Sequence, residues 1–268
     1  MKELGKRIIV SVIFIPVLVL ALYFEGLPLF LMFLMVSIFG AQEYIYMMRK
    51  AEIKIPWPWF ALYPLSYSMW VYFPDHGMCI IWLGVFIALI EPLVNWQERE
   101  SVPRLMAIVF GFVYTAMMPA MIVNIARQDH PQKILLALIL MIWIVDTVAY
   151  FVGMRFGKKR NITPVSPKKS REGFIAGGLA PIIVVFILYV SGFSKIPILH
   201  MVLIGIAAGI FGQLGDLLES MLKRFCKVKD SSRLIPGHGG MLDRTDSILL
   251  AGSFLYTALT ILGKAWLR

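Results

Sequence analysis

The sequence predicts an all-α polytopic membrane protein, a bundle of about nine transmembrane helices. Of its 268 residues, 59% are hydrophobic and only 16% are charged, and the mean hydropathy is +0.77. Soluble domains carry more charge and less apolar surface than this. Long apolar stretches recur along the chain with only short polar segments between them, so no separate soluble domain is expected.

Charged residues, prolines and glycines divide the chain into nine candidate spans. The first span follows a basic amino terminus but lacks a small-residue cleavage motif, so it is predicted to be a membrane helix and not a signal peptide. The first five spans form an N-terminal membrane region, residues 1–130, and the other four form a catalytic region, residues 131–268. The nine spans are residues 8–24, 27–48, 56–73, 78–95, 105–126, 134–154, 173–194, 197–222 and 246–266.

Basic residues are distributed unevenly between the two sides of the membrane. With a cytoplasmic amino terminus, 21 Lys and Arg residues fall on the cytoplasmic side and 5 outside, which predicts that the carboxy terminus lies outside. The two long basic loops, residues 155–172 and 223–245, then face the cytoplasm, so the chemistry is expected there. This topology explains the net charge of +10 without a nucleic-acid partner. The short loops favour a multi-pass protein of a bacterial inner membrane.

The five candidate acidic residues lie inside predicted spans near their cytoplasmic ends, apart from Asp243, which lies three residues before the ninth span. Asp146 lies roughly 12 Å deep, eight residues before the end of its span at a helical rise of about 1.5 Å per residue. Ionisable groups inside membrane helices are costly and indicate function. Oxygen ligands without a Cys or His cluster favour Mg²⁺ and leave room for a second cation; the alternative is pairing with Lys223, Arg224 or Arg244. The acids are Asp146, Asp216, Glu219, Asp243 and Asp246.

The loop of residues 223–245 combines six basic residues with three glycines around His238. Glycine lets backbone N–H groups approach a phosphate closely, and the loop leads into a helix amino terminus, which favours anions. The pattern predicts a phosphate-binding loop, although His238 taken alone is equally consistent with a simple turn. The glycines are Gly237, Gly239 and Gly240.

The loop of residues 155–172 carries seven basic residues and one acid. Its Ser-Pro-Lys-Lys-Ser segment, residues 166–170, has a proline that restricts the backbone, serines that can donate to phosphate and lysines that can neutralise it. This segment predicts a second phosphate contact. Membrane topology alone better explains the other basic residues Arg155, Lys159, Arg160 and Arg171.

The stretch Ser220–Asp246 closely resembles the signature of the phosphatidate cytidylyltransferases, also called CDP-diacylglycerol synthases. It carries the S-x-x-K-R, K-D, P-G-H-G-G and D-R-x-D elements of that family. The segments DTVAYFVGMRFGK and SPKKSREG, and Glu43 near the end of the second span, are similar to other features of the family. The resemblance covers roughly residues 140–250.

The resemblance implies an enzyme of phospholipid biosynthesis that transfers CMP from CTP to phosphatidic acid with Mg²⁺, producing CDP-diacylglycerol and pyrophosphate. Its partners would be CTP, phosphatidic acid, the lipid bilayer and a second copy in a homodimer. The nucleophile is already a phosphate oxyanion, so no general base is needed. Catalysis is then expected to depend on positioning and on charge neutralisation.

The motifs and the resemblance together assign three groups of site residues. The predicted catalytic residues are Asp216, Asp243, Asp246, Lys223 and Arg244. The predicted substrate-binding residues are Ser166, Lys168, Lys169, Ser170, Ser220, Arg224, Lys229, His238, Gly239 and Gly240. The predicted metal ligands are Asp216, Asp243, Asp246, Glu219 and Asp146.

Two other functions are compatible with parts of the pattern. A CTP-dependent polyprenol or lipid kinase would need a general base for its alcohol acceptor, and no histidine pairs obviously with a deep acid. A cation-coupled transporter would need ionisable groups accessible from both faces, whereas the outer halves of the predicted spans hold almost none. Both are therefore weaker predictions than the cytidylyltransferase.

Overall fold

The computed structural model describes residues 12, 15–127, 133–160, 163–192, 194–235, 237 and 239–266. Within these ranges the regular elements are helices, apart from two isolated β-bridges, which confirms the predicted all-α class. The start of the first predicted span and His238 lie outside the described residues. The helices are α1 Ile15–Phe24, α2 Gly26–Lys50, α3 Trp59–Tyr72, α4 Gly77–Val94, α5 Ser101–Phe112, α6 Met118–Ala126, α7 Ile134–Phe156, α8 Arg171–Ser191, α9 Ile198–Ile206, α10 Gln213–Phe225 and α11 Leu242–Trp266.

Seven helical segments among the described residues are long and apolar enough to cross a membrane, so this is a multi-pass membrane protein. Two of them join pairs of helices through π-helical turns: Val113–Met117 connects α5 to α6, and Ala207–Gly212 connects α9 to α10. The seven coincide with the second and the fourth to ninth predicted spans. They are Gly26–Lys50, Pro74–Val94, Ser101–Ala126, Ile134–Phe156, Arg171–Ser191, Ile198–Phe225 and Leu242–Leu262.

The third predicted span is shorter than expected. Helix α3 has 14 residues, about 21 Å at a rise of 1.5 Å per residue, whereas the hydrocarbon core is about 30 Å thick. Pro56 and Pro58 lack the N–H groups of a regular helix interior, and the helix begins only after them, at Trp59. The first span is described only as α1. The count of nine spans therefore stays a prediction.

The chain divides into two compact units. Unit one comprises the residues up to Asn124 together with Lys223–Thr245, and unit two comprises Ile125–Leu222 and the residues from Asp246 onward. The predicted phosphate-binding loop therefore groups with the N-terminal helices, although it lies within the predicted catalytic region of the sequence. The Ser-Pro-Lys-Lys-Ser segment belongs to unit two.

Buried tyrosines connect the helices of unit one through hydrogen bonds to backbone carbonyls. Tyr44 on α2 donates to Ala107 O at 2.7 Å, and Tyr63 on α3 donates to Ile108 O at 3.0 Å. Both carbonyls belong to α5, and both tyrosine side chains are fully buried. Interhelical hydrogen bonds in membrane proteins stabilise by about 0.6 kcal/mol on average. Because Glu43 precedes Tyr44, these contacts also fix the backbone of Glu43.

A proline in α6 is accommodated by a neighbouring helix. Pro119 has no N–H to donate to the carbonyl of Thr115, four residues earlier, and the backbone there forms the π-helical turn. The Thr115 carbonyl instead accepts a hydrogen bond of 2.6 Å from Ser37 Oγ on α2. The acceptor that the proline would leave unpaired in an apolar interior is thus satisfied.

In unit two, α7 and α8 pack closely along small residues. A β-carbon built at Gly173 would lie only 2.5 Å from the carbonyl oxygen of Ala149. Small residues spaced four apart let membrane helices approach in this way. The contact places Asp146, on α7, near the start of α8. The small residues are Ala149, Gly153 and Gly157 along α7 and its end, and Gly173 and Gly177 on α8.

Gly111 on α5 tests the packing of unit one. A β-carbon there would lie 2.5 Å from Tyr44 Cε1 and 2.7 Å from Tyr63 Oη. Gly111→Ala is therefore expected to lower the free energy of unfolding by about 1–3 kcal/mol, because the hydrogen-bonded tyrosines must move. Thermal unfolding in detergent micelles measures the change. Gly178→Ala is the control, since its nearest neighbour would lie 3.4 Å away. Equal losses in the two variants would contradict the described packing.

Candidate active site

The carboxylate of Glu43, on α2 in unit one, accepts four hydrogen bonds from the segment that leads into α11. Oε1 accepts from Ser232 Oγ at 2.6 Å and from Met241 N at 2.8 Å. Oε2 accepts from Ser231 Oγ at 3.0 Å and from Leu242 N at 2.9 Å. Two of these donors are backbone N–H groups at the start of a helix, which have no partner within the helix and favour negative charge.

Asp243, in the first turn of α11, binds the same segment. Its Oδ2 accepts from Ser231 N at 2.9 Å and from Gly240 N at 2.7 Å, and it lies 2.8 Å from Ser231 Oγ, whose single hydrogen is shared with Glu43 Oε2. Its Oδ1 accepts from Lys223 Nζ at 2.6 Å, and the two side chains are only 14% and 6% exposed. Both carboxylate oxygens are therefore engaged within unit one, and the buried ion pair is costly to separate.

Two of the predicted glycines are required by the shape of this segment. Gly239 has a φ of +86°, a left-handed conformation that side chains disfavour. At Gly240, a β-carbon would collide with Glu43 Oε1 and with Ser231 Oγ. Ile235 N donates to Gly239 O at 2.8 Å and closes the turn. The glycines thus let two carboxylates lie directly against the backbone.

A cavity of about 470 Å³ in unit two has charged and apolar walls. Asp146 on α7 and Asp216 on α10 supply carboxylates. Positive charge comes from Arg160, Lys168 and Lys169. The apolar part of the wall is formed by Tyr150, Met154 and Phe174. Such a cavity can receive a cation, a phosphate and an apolar group together.

The paired lysines reach the cavity because Ser170 fixes the start of α8. Ser170 is the N-cap of this helix, and its Oγ accepts a hydrogen bond of 3.2 Å from Gly173 N. Lys169 forms an ion pair with Asp216, and their side chains are 29% and 35% exposed. Partly exposed pairs contribute about 1 kcal/mol or less, so both groups can exchange partners at low cost.

The remaining predicted residues occupy different environments. Glu219 is fully buried on α10. Oδ1 of Asp246 accepts a hydrogen bond of 2.7 Å from Ser247 N, and Gly215 packs against the Asp246 backbone. Exposed side chains belong to Arg224, Lys229 and Arg244, and partly exposed ones to Ser166, Ser220 and Asp246. Ser166 lies outside the cavity lining, whereas Lys168, Lys169 and Ser170 belong to it.

The positions of the acidic side chains can be compared with the set of ligands that a metal ion needs. Among the described residues, no group of three or more His, Cys, Asp or Glu side chains is arranged to hold a metal. Mg²⁺ however binds proteins through one or two carboxylates and completes its shell with water and substrate phosphate. Asp146 and Asp216 in one cavity fit that requirement, whereas Asp243 is occupied by Lys223 and the backbone.

Several residues of these sites have no role assigned from the sequence. Glu43, Ser231 and Ser232 hold the segment before α11. The position of Glu43 inside a predicted span is itself a signal of function, but serines are common in loops and carry little signal. Arg160 also lines the cavity. From the sequence, its charge is explained by membrane topology alone.

The fold and these sites define a multi-pass membrane enzyme with lysines and carboxylates in one cavity. The sequence profile of the Cytidylyltransferase family matches residues 5–262, so the chain belongs to that family. This finding confirms the family predicted from the stretch Ser220–Asp246.

Three bacterial relatives are each named phosphatidate cytidylyltransferase. The protein of Bacillus subtilis (strain 168) is 29% identical over 270 residues, which cover 97% of this chain and 99% of the relative. The protein of Thermotoga maritima is 34% identical over 208 residues, 75% of this chain and 76% of the relative. The protein of Staphylococcus haemolyticus is 44% identical over 123 residues, 46% of this chain and 47% of the relative.

The buried and the partly exposed ion pair are expected to differ in their effect on stability. Lys223→Met leaves the buried Asp243 carboxylate without its counter-ion and is expected to lower the free energy of unfolding by about 2 kcal/mol or more. Lys169→Met is the matched control, and its effect is expected to be about 1 kcal/mol or less. Thermal unfolding in detergent measures both. A larger loss for Lys169→Met than for Lys223→Met would contradict the assignment of the buried pair.

Proposed function

We propose that the protein is a phosphatidate cytidylyltransferase, which transfers the CMP part of CTP onto phosphatidic acid and forms CDP-diacylglycerol and pyrophosphate. The named bacterial relatives support this assignment. The observation that carries it is the cavity of unit two, where Asp146 and Asp216 lie with Lys168 and Lys169 in a partly apolar wall. A phosphorylated lipid needs cationic groups for its phosphate and apolar contacts for its acyl chains.

The reaction is a single displacement at phosphorus. A phosphate oxygen of phosphatidic acid attacks the α-phosphorus of CTP, and the bond from that phosphorus to the bridging oxygen of the β-phosphate breaks. The electron pair leaves with pyrophosphate. Because the attacking oxygen is already ionised, no side chain has to remove a proton, and the protein contributes positioning and charge neutralisation.

The basic residues of unit two fit this requirement. Lys168 and Lys169 follow a proline that restricts the backbone and precede the N-cap Ser170, so their backbone positions are set before a substrate binds. Arg160 adds a planar guanidinium that can bind phosphate oxygens in pairs. These three side chains are proposed to hold substrate phosphate.

Mg²⁺ is proposed as the cofactor, held by Asp146 and Asp216, and a second cation remains part of the proposal. When bound, Mg²⁺ would supply positive charge against the phosphates of CTP. Asp246 and Glu219 stay candidate ligands. For Asp243, the bonds to Lys223 and to Gly240 N support a role in holding the loop.

The segment before α11 is proposed to bind the second set of phosphates. The exposed basic residues proposed to bind phosphate there are Arg224 at the end of α10, Lys229 in the segment and Arg244 in the first turn of α11. The N–H groups of Gly240, Met241 and Leu242 already donate to carboxylates, so a phosphate bound there would depend on these exposed side chains. Ser220 and His238 remain proposed contacts from the resemblance, and the homodimer remains a proposal of the same kind.

The proposed topology places both basic loops in the cytoplasm of a bacterial cell, with nine spans, the amino terminus inside and the carboxy terminus outside. The 21 to 5 distribution of Lys and Arg supports this orientation. Two apolar segments, Arg171–Ser191 and Ile198–Phe225, separate the loops along the chain, so the loops return to the same side. CTP is a cytosolic polyanion, and this side is where it is available.

The activity test uses purified protein in mixed micelles with phosphatidic acid, Mg²⁺ and CTP labelled at either the α- or the γ-phosphate. Label from the α-phosphate is expected in the lipid product, and label from the γ-phosphate in pyrophosphate. Transfer of the γ-label to lipid would indicate a lipid kinase and would contradict the proposal.

Variants of the cavity are expected to change this activity selectively. Asp216→Asn should lower turnover by about a hundredfold or more, because it removes a charge proposed to hold the cation. Lys168→Ala should raise the KM of at least one substrate, whereas the exposed Lys159, which is not among the cavity-lining residues, is the control. Equal effects of Lys168→Ala and Lys159→Ala would indicate only a generic basic surface.

The topology is tested by single cysteines at Ser166, at Asp230 and after Arg268, in a background that lacks Cys79 and Cys226. An impermeant maleimide added to right-side-out vesicles is expected to label only the position after Arg268. Positions 166 and 230 should react after permeabilisation. Labelling of either loop position in sealed vesicles would overturn the proposed orientation.

A further inference from the structure

Glu43 ties together the two ends of one loop. Its donors fall into two groups: Ser231 and Ser232 at the beginning of the segment 231–242, and Met241 and Leu242 at its end. A loop held at both ends by one side chain has lost most of its freedom to open. Glu43 belongs to α2, so a helix distant in sequence determines the loop's shape.

The environment of Glu43 requires a carboxylate. Each oxygen faces one backbone N–H and one serine hydroxyl, and the residue is only 4% exposed. A glutamine has one oxygen and one NH₂ group, so in either orientation its NH₂ would face a backbone N–H, that of Met241 or that of Leu242. Buried donors that lose their acceptor are costly, and glutamine is therefore a poor substitute in spite of its similar size.

The loop that Glu43 closes contains groups already assigned to substrate phosphate. Ser231 Oγ lies 3.0 Å from Glu43 Oε2 and 2.8 Å from Asp243 Oδ2, so one hydroxyl links the two carboxylates. Asp243 in turn holds Gly240 N and Lys223 Nζ. A displacement of Glu43 would thus reach the Gly240 backbone and the Lys223 ammonium through directly bonded groups.

We infer that Glu43 is a positioning residue for the loop of residues 231–242. Its carboxylate holds the loop closed and thereby sets the positions of Gly239, Gly240 and the Lys223–Asp243 pair. It acts through the loop and has no contact with substrate. Its effect on turnover rests on the proposed cytidylyltransferase activity, whereas its effect on the loop does not.

The loop is probed directly by limited trypsin digestion of the purified protein. The loop carries an exposed trypsin site at Arg233, and two further exposed sites, Lys227 and Lys229, lie just before it. Cleavage requires local opening, so a closed loop is cut slowly. Glu43→Gln is expected to raise the cleavage rate at these sites by about tenfold or more. Mass spectrometry of the fragments identifies each cut.

Two comparisons separate loop opening from general loss of structure. In the same digest, cleavage after Lys158 and Lys159 in the loop of unit two should stay at the wild-type rate. Glu91→Gln is the matched control variant. It removes a carboxylate of unit one that accepts a hydrogen bond of 2.9 Å from Arg104 Nη1. It is expected to leave cleavage at 227–233 unchanged, even where it lowers the unfolding temperature.

The kinetic readout is the split between KM and kcat. A variant that only reduced the folded fraction would lower the maximal rate at an unchanged KM. Glu43→Gln is expected to raise the KM of CTP or phosphatidic acid at least about fivefold and to lower kcat per folded molecule, because the phosphate-binding groups are displaced. Glu43→Asp, which keeps the charge but shortens the side chain, should recover part of both losses.

A second variant keeps the inference testable if Glu43→Gln does not fold. Ser232→Ala removes one donor to Glu43 Oε1 and should increase loop cleavage by a smaller factor, about threefold. Wild-type cleavage rates at 227–233 in Glu43→Gln or, failing that, in Ser232→Ala would overturn the positioning role. So would an unchanged KM with a reduced maximal rate. If the wild-type protein makes no CDP-diacylglycerol, the proposed function fails and the digestion alone decides the role of Glu43.

Discussion

The cost of burying a charge in an apolar helical protein governs both candidate sites. A carboxylate removed from water must find a cation or several hydrogen-bond donors, because the surrounding helices offer none at their apolar surfaces. Glu43 is satisfied by hydroxyl and backbone N–H donors, and Asp243 by Lys223 and backbone N–H groups. Since most of these donors lie in the segment 231–242, the acids of α2 and α11 determine where that segment lies.

The two ion pairs differ in how deeply they are buried, and this difference suits them to different roles. The Lys223–Asp243 pair is almost enclosed, so its partners stay together and the pair stabilises one shape of the loop. The Lys169–Asp216 pair is partly exposed at a cavity, and water screens it enough that its partners can turn to a phosphate or a cation. The same two residue types therefore serve structure in unit one and are suited to chemistry in unit two.

Close approach of the helices depends on small residues and on polar side chains that reach neighbouring backbones. Gly173 leaves the space that lets α7 and α8 pack, and this contact brings Asp146 near the Lys168–Ser170 segment. Ser37 satisfies the carbonyl left without a donor by Pro119. Residues with no part in chemistry thus set the positions of those that have one.

Seven of the nine predicted spans are confirmed as long apolar helices, because hydropathy and segment length are local properties of a sequence. Helix α3 differs: the structure describes the whole of its predicted span, but the helix is too short to be counted among the seven. Its apolar stretch is long enough, but the prolines before Trp59 shorten the helix to 14 residues, and Tyr63 and Tyr67 are buried against other helices. Average hydropathy does not distinguish burial in protein from burial in lipid.

The amino-acid sequence by itself determined the all-α membrane class, the basic loops and the family, through composition, charge distribution and a contiguous signature of residues 220–246. It also singled out Asp146, Asp216 and Lys169, which share a cavity in the structure. Only the tertiary structure decided which acid meets which donor. Glu43 and Met241 are far apart in the chain, and no local pattern encodes the hydrogen bond between them. Such a contact depends on the packing of whole helices, which places a carboxylate of α2 at the amino terminus of α11.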